Sequence, residues 1–238
     1  MKKLKAGIYL YPGMTMLDAY GPLQVLAFVR GLETFTFAEN SAPLPCDAGV
    51  QLLPNYDFEE CPDIDILIVP GAGNPLQQMQ SERAIQFLRK LGKNAQYITS
   101  VCSGALILAE AGLLDGYEAA THWAYRDILK KLADVTVVNK RVAIDRNRIT
   151  GGGVTAGIDF ALSLTAELFG PQEAQALQLL FEYQPEPPFN CGSPETAPLQ
   201  IVQAAQHQIE TITADLMSYA DKQANARVQK GSLALATS

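Results

Sequence analysis

Between residues 96 and 111 a strand-like pattern runs without a break into a helical one, and the residue at the junction is a cysteine. The stretch reads Gln96-Tyr97-Ile98-Thr99-Ser100-Val101-Cys102-Ser103-Gly104-Ala105-Leu106. β-formers precede Cys102; small residues and helix formers follow it. A strand that turns this abruptly into a helix belongs to a layered α/β architecture, and it sets the junction residue at the carboxyl edge of a sheet.

The rest of the chain alternates in the same way. Lys3–Tyr11 reads as a buried strand closed by the Pro12-Gly13 turn. Leu17, Tyr20, Leu23, Val25, Leu26 and Val29 then recur at near-helical spacing. Short strands are expected at Thr34–Ala38, Val50–Leu53 and Ile64–Val69, the last ended by Pro70-Gly71-Ala72-Gly73-Asn74-Pro75. Ser81 caps a helix to about Lys93 with Ile85, Leu88 and Leu91 inward. After the Cys102 junction, Ser103–Ala111 is a helix stopped by Gly112. A short strand at Ala119–Thr121, a helix over Trp123–Leu132 and a hairpin or strand pair over Val135–Asp145 follow. Thr155–Phe169 reads as a buried helix, and Gln172–Tyr183 continues as helix. The five prolines of 184–198 exclude a regular element there, leaving a linker or a loop folded over the body. A polar helix is expected over 199–225, then a frayed tail. This order predicts an α/β fold with a mostly parallel sheet and helices on both faces, as a single domain over 1–238.

Composition narrows the function. The formal net charge is −7 and no basic run occurs, which argues against a nucleic-acid partner. No eighteen-residue apolar stretch exists to span a membrane, and the apolar run after Lys2-Lys3 is too short for a signal peptide. The four cysteines, Cys46, Cys61, Cys102 and Cys191, match no zinc or redox spacing, and two histidines are too few for a metal site. Free thiols fit a reducing compartment, so a cytoplasmic location is expected.

In a parallel sheet, sites form at the carboxyl ends of strands, which singles out the loops 12–18, 70–75 and 101–104. Cys102 reads as a nucleophile: the turn exposes it, and the following helix start favours a thiolate. The alternative is a buried structural cysteine. The Gly71-Ala72-Gly73 turn and the Ser103 amide could stabilise negative charge on a reacting atom; the alternative is that the glycines only end a strand. Asp18 either caps the first helix or stands beside the thiol as a proton donor and acceptor, with burial raising its pKa. His122 is a possible base with no evident carboxylate to orient it, and a structural histidine fits equally. Gly152 and Gly153 either form a tight turn or line the pocket beside Cys102 with backbone.

These segments together resemble the ThiJ/PfpI superfamily, and within it the isonitrile (isocyanide) hydratases. The likeness rests on Thr99-Ser100-Val101-Cys102, Thr121-His122-Trp123-Ala124-Tyr125 and Thr150 to Ala161 with its Gly151-Gly152-Gly153 start. It extends through Pro187-Pro188-Phe189-Asn190 and Gly192 to Pro198. The resemblance implies a flavodoxin-like, class I glutaminase-like sandwich and a homodimer without metal or cofactor. It implies Cys102 as nucleophile, Asp18 as the acid that hydrogen-bonds the sulfur, and Ala72 and Ser103 as residues whose amides border the site. Ser103 stands where threonine is common, and Ala72 where glycine is usual; a positive φ at Ala72 would be strained. The implied substrates are a small isonitrile and water, joined into an N-substituted formamide through a Cys102 thioimidate. Other cysteine chemistry on the same elbow, such as glyoxal hydration or amide hydrolysis, and a non-enzymatic ligand- or redox-sensing role are the alternatives.

Overall fold

The central sheet has six strands in the order β2-β1-β5-β6-β10-β9. They are β1 (Leu4–Tyr9), β2 (Leu32–Phe37), β5 (Ile66–Val69), β6 (Tyr97–Ser100), β9 (Val142–Asp145) and β10 (Arg148–Gly151). Five of them run parallel, and β9 pairs antiparallel with β10 at the edge. This computed structural model describes residues 3–236, with side chains through residue 229.

Apolar runs such as Ile66-Leu67-Ile68-Val69 are buried on both sides, as a parallel strand under two helical layers must be. One layer holds α1 (Met16–Leu26), α6 (Ala156–Phe169) and α7 (Pro171–Leu180), which pack on one another. The other holds α2 (Leu76–Met79), α3 (Glu82–Asn94), α4 (Gly104–Glu110), α5 (Arg126–Leu132) and α8 (Leu199–Ala236). Small ladders, β3 (Leu44–Pro45) with β4 (Gln51–Leu52) and β7 (Glu118–Ala119) with β8 (Thr136–Val137), lie outside the main sheet.

Most expected elements form where periodicity placed them. Ser81 caps α3 by accepting from the Ala84 N–H at 3.2 Å, and Gly112 ends the α4 region at φ +68°. Three expectations change. The segment 135–145 is not a self-paired hairpin: β8 joins β7 in parallel, and β9 pairs with β10. Strand β10 itself was not foreseen, because Arg148-Ile149-Thr150-Gly151 is short and lacks a run of β-formers. The helix expected to end near residue 225 continues to Ala236, since Asp221–Ala236 contains no proline and few helix breakers. The 184–198 segment carries no regular helix or strand and lies against the body. Glu195 there accepts from Asn139 Nδ2 at 2.8 Å and faces the Arg126 guanidinium at 3.9 Å.

The chain leaves β1 toward β2, then crosses back to place β5 on the other side of β1. That reversal opens a crevice outside the carboxyl ends of β1 and β5, with β6 adjacent. The three loops that follow these strands meet there.

Candidate active site

Cys102 has φ +58°, a conformation that L-residues rarely adopt. The surroundings enforce it. Its N–H donates to Gly152 O at 2.7 Å and Gly151 O at 3.2 Å, and its carbonyl accepts from Thr121 Oγ1 at 2.8 Å. The end of β10 and the loop after β7 therefore hold the backbone in a strained elbow. Gly104 is obligatory beneath it: a Cβ there would collide with the Val69 carbonyl and lie 2.9 Å from Pro70.

The elbow does not expose its side chain as the sequence suggested. Cys102 is 4% exposed. Burial pushes the thiol well above its usual range, the neighbouring Asp18 charge adds to this, and the Ser103 N–H and hydroxyl pull in the opposite direction. The expected low-pKa thiolate is thus corrected: desolvation outweighs the helix start.

Asp18, on the first turn of α1, is fully buried. The carboxyl stands beside the Cys102 thiol, and each shifts the other's ionisation. Its Oδ2 accepts the Gly71 N–H at 2.9 Å, while Oδ1 is buried without an N–H or O–H donor. Burial raises its pKa to about 7; the Gly71 hydrogen bond and the Cys102 thiol restrain the rise and the Asp47 charge adds to it. Asp18 is not the cap of α1. Asp47, from the turn after β3, takes that role by accepting the Met16 N–H at 2.9 Å. Thiol and carboxyl both resist ionisation here, so near neutral pH the pair retains a proton between them.

The backbone amides expected to face substrate are mostly engaged within the protein. Gly71 serves Asp18. Ala72 N–H donates to Ser103 Oγ at 2.9 Å, and that hydroxyl donates to Ala72 O at 2.6 Å. Ser103 N–H points at the sulfur. Gly152 N–H donates to Arg141 O at 2.8 Å, so it acts through its carbonyl on Cys102 and not as a substrate amide. Gly153 accepts from Ala156 N–H at 2.7 Å at the start of α6, and a Cβ on it would sit 2.9 Å from the His122 ring. Ala72 lies outside the left-handed region, so alanine in place of glycine brings no backbone strain. Gly71 itself tolerates nothing larger: its Cβ would fall 2.5 Å from Ser103 N and 3.0 Å from Asp18 Oδ2.

His122 does not join the pair. Its Nδ1 accepts from the Ala124 N–H at 3.4 Å, and burial followed by the Arg126 charge lowers its pKa to about 4. The groups acting on the sulfur are Asp18 and Ser103. His207 is exposed on α8. Two residues that no sequence argument assigned do face the pair. Tyr11, in the loop just after β1, donates to Pro70 O at 3.0 Å, and Tyr125 donates to Gly73 O. Both phenols are pushed upward by burial and then by the charges of Asp18 and Cys102. The position of Tyr11 at a strand's carboxyl end and of Tyr125 inside the 121–125 motif were the available signals.

No cluster of three or more histidine, cysteine or acidic side chains able to hold a metal occurs among the described residues. Among those residues, no helix is long and apolar enough to cross a membrane.

The strained strand-to-helix elbow, its cysteine and the paired acid define an α/β protein of nucleophile-elbow type. The chain belongs to the DJ-1/PfpI family, whose pattern it matches over residues 4–167. It is 44% identical over 203 residues to an isonitrile hydratase of Pseudomonas putida, spanning 85% of this chain and 89% of that one. It is 34% identical over 171 residues to the transcriptional regulator CdhR of Pseudomonas aeruginosa, covering 69% of this chain and 51% of the regulator. Among solved structures it superposes on a ThiJ/PfpI family protein from Pseudomonas syringae with a TM-score of 0.87. That match is 40% identical and covers 94% of this chain and 91% of the other.

Proposed function

We propose that this chain is an isonitrile hydratase, converting R–N≡C and water into R–NH–CHO. The observation that carries this is the buried Asp18 carboxyl acting on the Cys102 thiol at the elbow, with Asp18 Oδ1 left without a hydrogen-bond partner. The 44% identity to the Pseudomonas putida isonitrile hydratase over most of both chains supports the same substrate class.

The chemistry needs one nucleophile and one shuttling proton. As the Cys102 sulfur attacks the terminal isonitrile carbon, its proton passes to the Asp18 carboxylate. Asp18 delivers that proton to the same carbon, giving the thioimidate R–N=CH–S–Cys102. The Asp18 carboxylate then takes a proton from water as the oxygen adds to the carbon, and passes it to nitrogen. The adduct R–NH–CH(OH)–S–Cys102 collapses: the C–S bond breaks, the hydroxyl proton returns to Asp18, and the formamide leaves. A pKa of about 7 suits a group that must give and take protons in turn. A terminal isonitrile carbon is narrow and linear, which suits a sulfur this deeply set.

Mass spectrometry of protein quenched with an aryl isonitrile tests the scheme. The expected result is a mass gain equal to the whole isonitrile, located on Cys102. A Cys102→Ala protein that keeps near-normal turnover sinks it. Glyoxal hydration would lean on a histidine base, and the isolation of His122 from the sulfur disfavours it; methylglyoxal against isonitrile as substrate separates the two.

A second copy of this chain is the partner we infer for the groove of about 360 Å³ between α1, α6 and α7, lined by Leu17, Val25, Ile158, Leu162 and Phe181. Phe28, Leu179 and Leu180 are exposed on the same helical layer or beside it. Sedimentation should give a dimer at micromolar concentration; a monomer there removes the inference. The four free cysteines support a reducing, cytoplasmic setting.

A further inference from the structure

We propose that Tyr125 is a positioning residue for the Cys102–Asp18 pair, acting through the Gly71–Asn74 loop; the kinetic part of its test rests on the hydratase reading above. The loop is Gly-Ala-Gly-Asn, a sequence with large conformational freedom and little side chain to pack. Yet its first N–H must stay 2.9 Å from Asp18 Oδ2, and its second residue must hold Ser103. Something other than local propensity keeps it in place.

The near end is fixed by the loop between β1 and α1: Thr15 N–H donates to Gly71 O at 2.8 Å, and Met14 bridges Ala72. The far end is exposed at Gly73. There the Gly73 carbonyl takes the Tyr125 hydroxyl. Tyr125 is itself immobile: it is 4% exposed, its N–H donates to His122 O at 2.9 Å, and its ring stands edge-on to His122. The second anchor is Asn74, whose Nδ2 donates to Ile212 O at 2.7 Å and Asp215 Oδ1 at 2.8 Å on α8.

Water could satisfy the carbonyl of an exposed glycine about as well as a phenol. Little stability therefore depends on this bond. What water cannot do is fix the carbonyl in one place. A phenol inside the core can, and it stays a donor because burial and the two acidic neighbours keep it protonated. The groups facing Asp18 are Cys102, the Gly71 N–H, Tyr11, Tyr125 and, from the turn after β3, Asp47. Of these the Gly71 N–H is the one that holds the carboxyl down and rides on the loop. Loosening the loop should raise the pKa of Asp18 and, by releasing Ser103, whose N–H and hydroxyl pull the thiol down, that of Cys102 as well.

Tyr125→Phe keeps the ring and removes the bond. The readouts are the pH dependence of Cys102 alkylation by iodoacetamide, which needs no isonitrile, and kcat and KM for an aryl isonitrile. In Tyr125→Phe the alkylation midpoint should rise on the order of half a pH unit, with kcat falling about tenfold and KM held within about twofold. Asn74→Ala loosens the same loop from the exposed side, so it should shift the midpoint in the same direction even where Tyr125→Phe folds poorly. An unchanged alkylation profile in either folded variant overturns the proposal. So does a rise in KM at constant kcat, which would make Tyr125 a binding wall. A wild-type protein inert toward isonitriles defeats the hydratase reading alone; the alkylation profiles still decide the role of Tyr125.

Discussion

The Gly71 N–H reaches Asp18 Oδ2 at 2.9 Å and leaves Oδ1 of the same carboxyl without a hydrogen-bond partner, on the acid that neighbours the Cys102 thiol. One backbone amide thus aims the acid, and the other oxygen stays unpartnered. The arrangement also stores an electrostatic cost, because the carboxyl is buried and its charged form is disfavoured.

Asp18→Asn should separate function from stability. Turnover should fall by about 10²–10⁴, the usual contribution of a general acid–base. Stability should move the other way above neutral pH. The folded pKa of about 7 lies above the ordinary 3.8, so the native state binds the proton more tightly. The stability this gives is full below pH 4 and lost as pH rises toward 7, at most on the order of 4 kcal/mol. At pH 8 the asparagine variant should melt higher than wild type by roughly 3 °C or more, and the gap should vanish near pH 4. Thermal melts at the two pH values check this; a lower melting point at pH 8 contradicts it.

His122→Gln should keep turnover within a few-fold. The ring is held by the Ala124 N–H, its pKa is lowered to about 4, and it is absent from the groups that act on the sulfur. A pH–rate profile should retain its limb near 7, which belongs to Asp18. Loss of that limb in the variant would reassign the proton carrier.

Gly71→Ala and Gly104→Ala should fail differently. At Gly71 the methyl would press on Ser103 and the Asp18 carboxyl, so activity should collapse with a loss of about 1–3 kcal/mol of stability. At Gly104 it would meet the Val69 and Pro70 backbone, which cannot yield, so Gly104→Ala should lower stability more than Gly71→Ala. Denaturant titration of both variants ranks them.

Alkylation at pH 7 should label Cys191 before Cys102. Cys191 is exposed, whereas the Cys102 sulfur is buried and its thiol pushed upward. Peptide mapping after brief iodoacetamide treatment should show at least about tenfold more label on Cys191. Faster labelling of Cys102 would restore the open, low-pKa thiol that its helix-start position suggested.

Much of the molecule was readable from the chain. The alternation of buried strands and amphipathic helices is a local periodicity, so β1, β5, β6, α3 and α6 emerge where residue spacing puts them. Strand β10 was not, because Arg148-Ile149-Thr150-Gly151 becomes a strand only by adding to β6 and receiving β9. The pairing of β8 with β7 was hidden for the same reason: two-residue ladders carry no periodic signal. In the site, Cys102 was marked by its own strand-to-helix junction, and Asp18 by its place after the first strand together with family resemblance. Tyr125 carried no comparable mark.

The amino-acid sequence by itself determined the layered architecture, the elbow and the two side chains proposed to react, because each follows from neighbours within a few residues or from a short motif. Tertiary structure alone decided how those groups behave. Asp18 meets Gly71 across 53 positions, Ala72 meets Ser103 across 31 and Tyr125 meets Gly73 across 52, so no local pattern can encode these bonds. Burial decided the rest: the same sulfur that a helix start would ionise in water holds its proton more tightly here, because desolvation in the packed core opposes the charge more strongly than the nearby donors favour it.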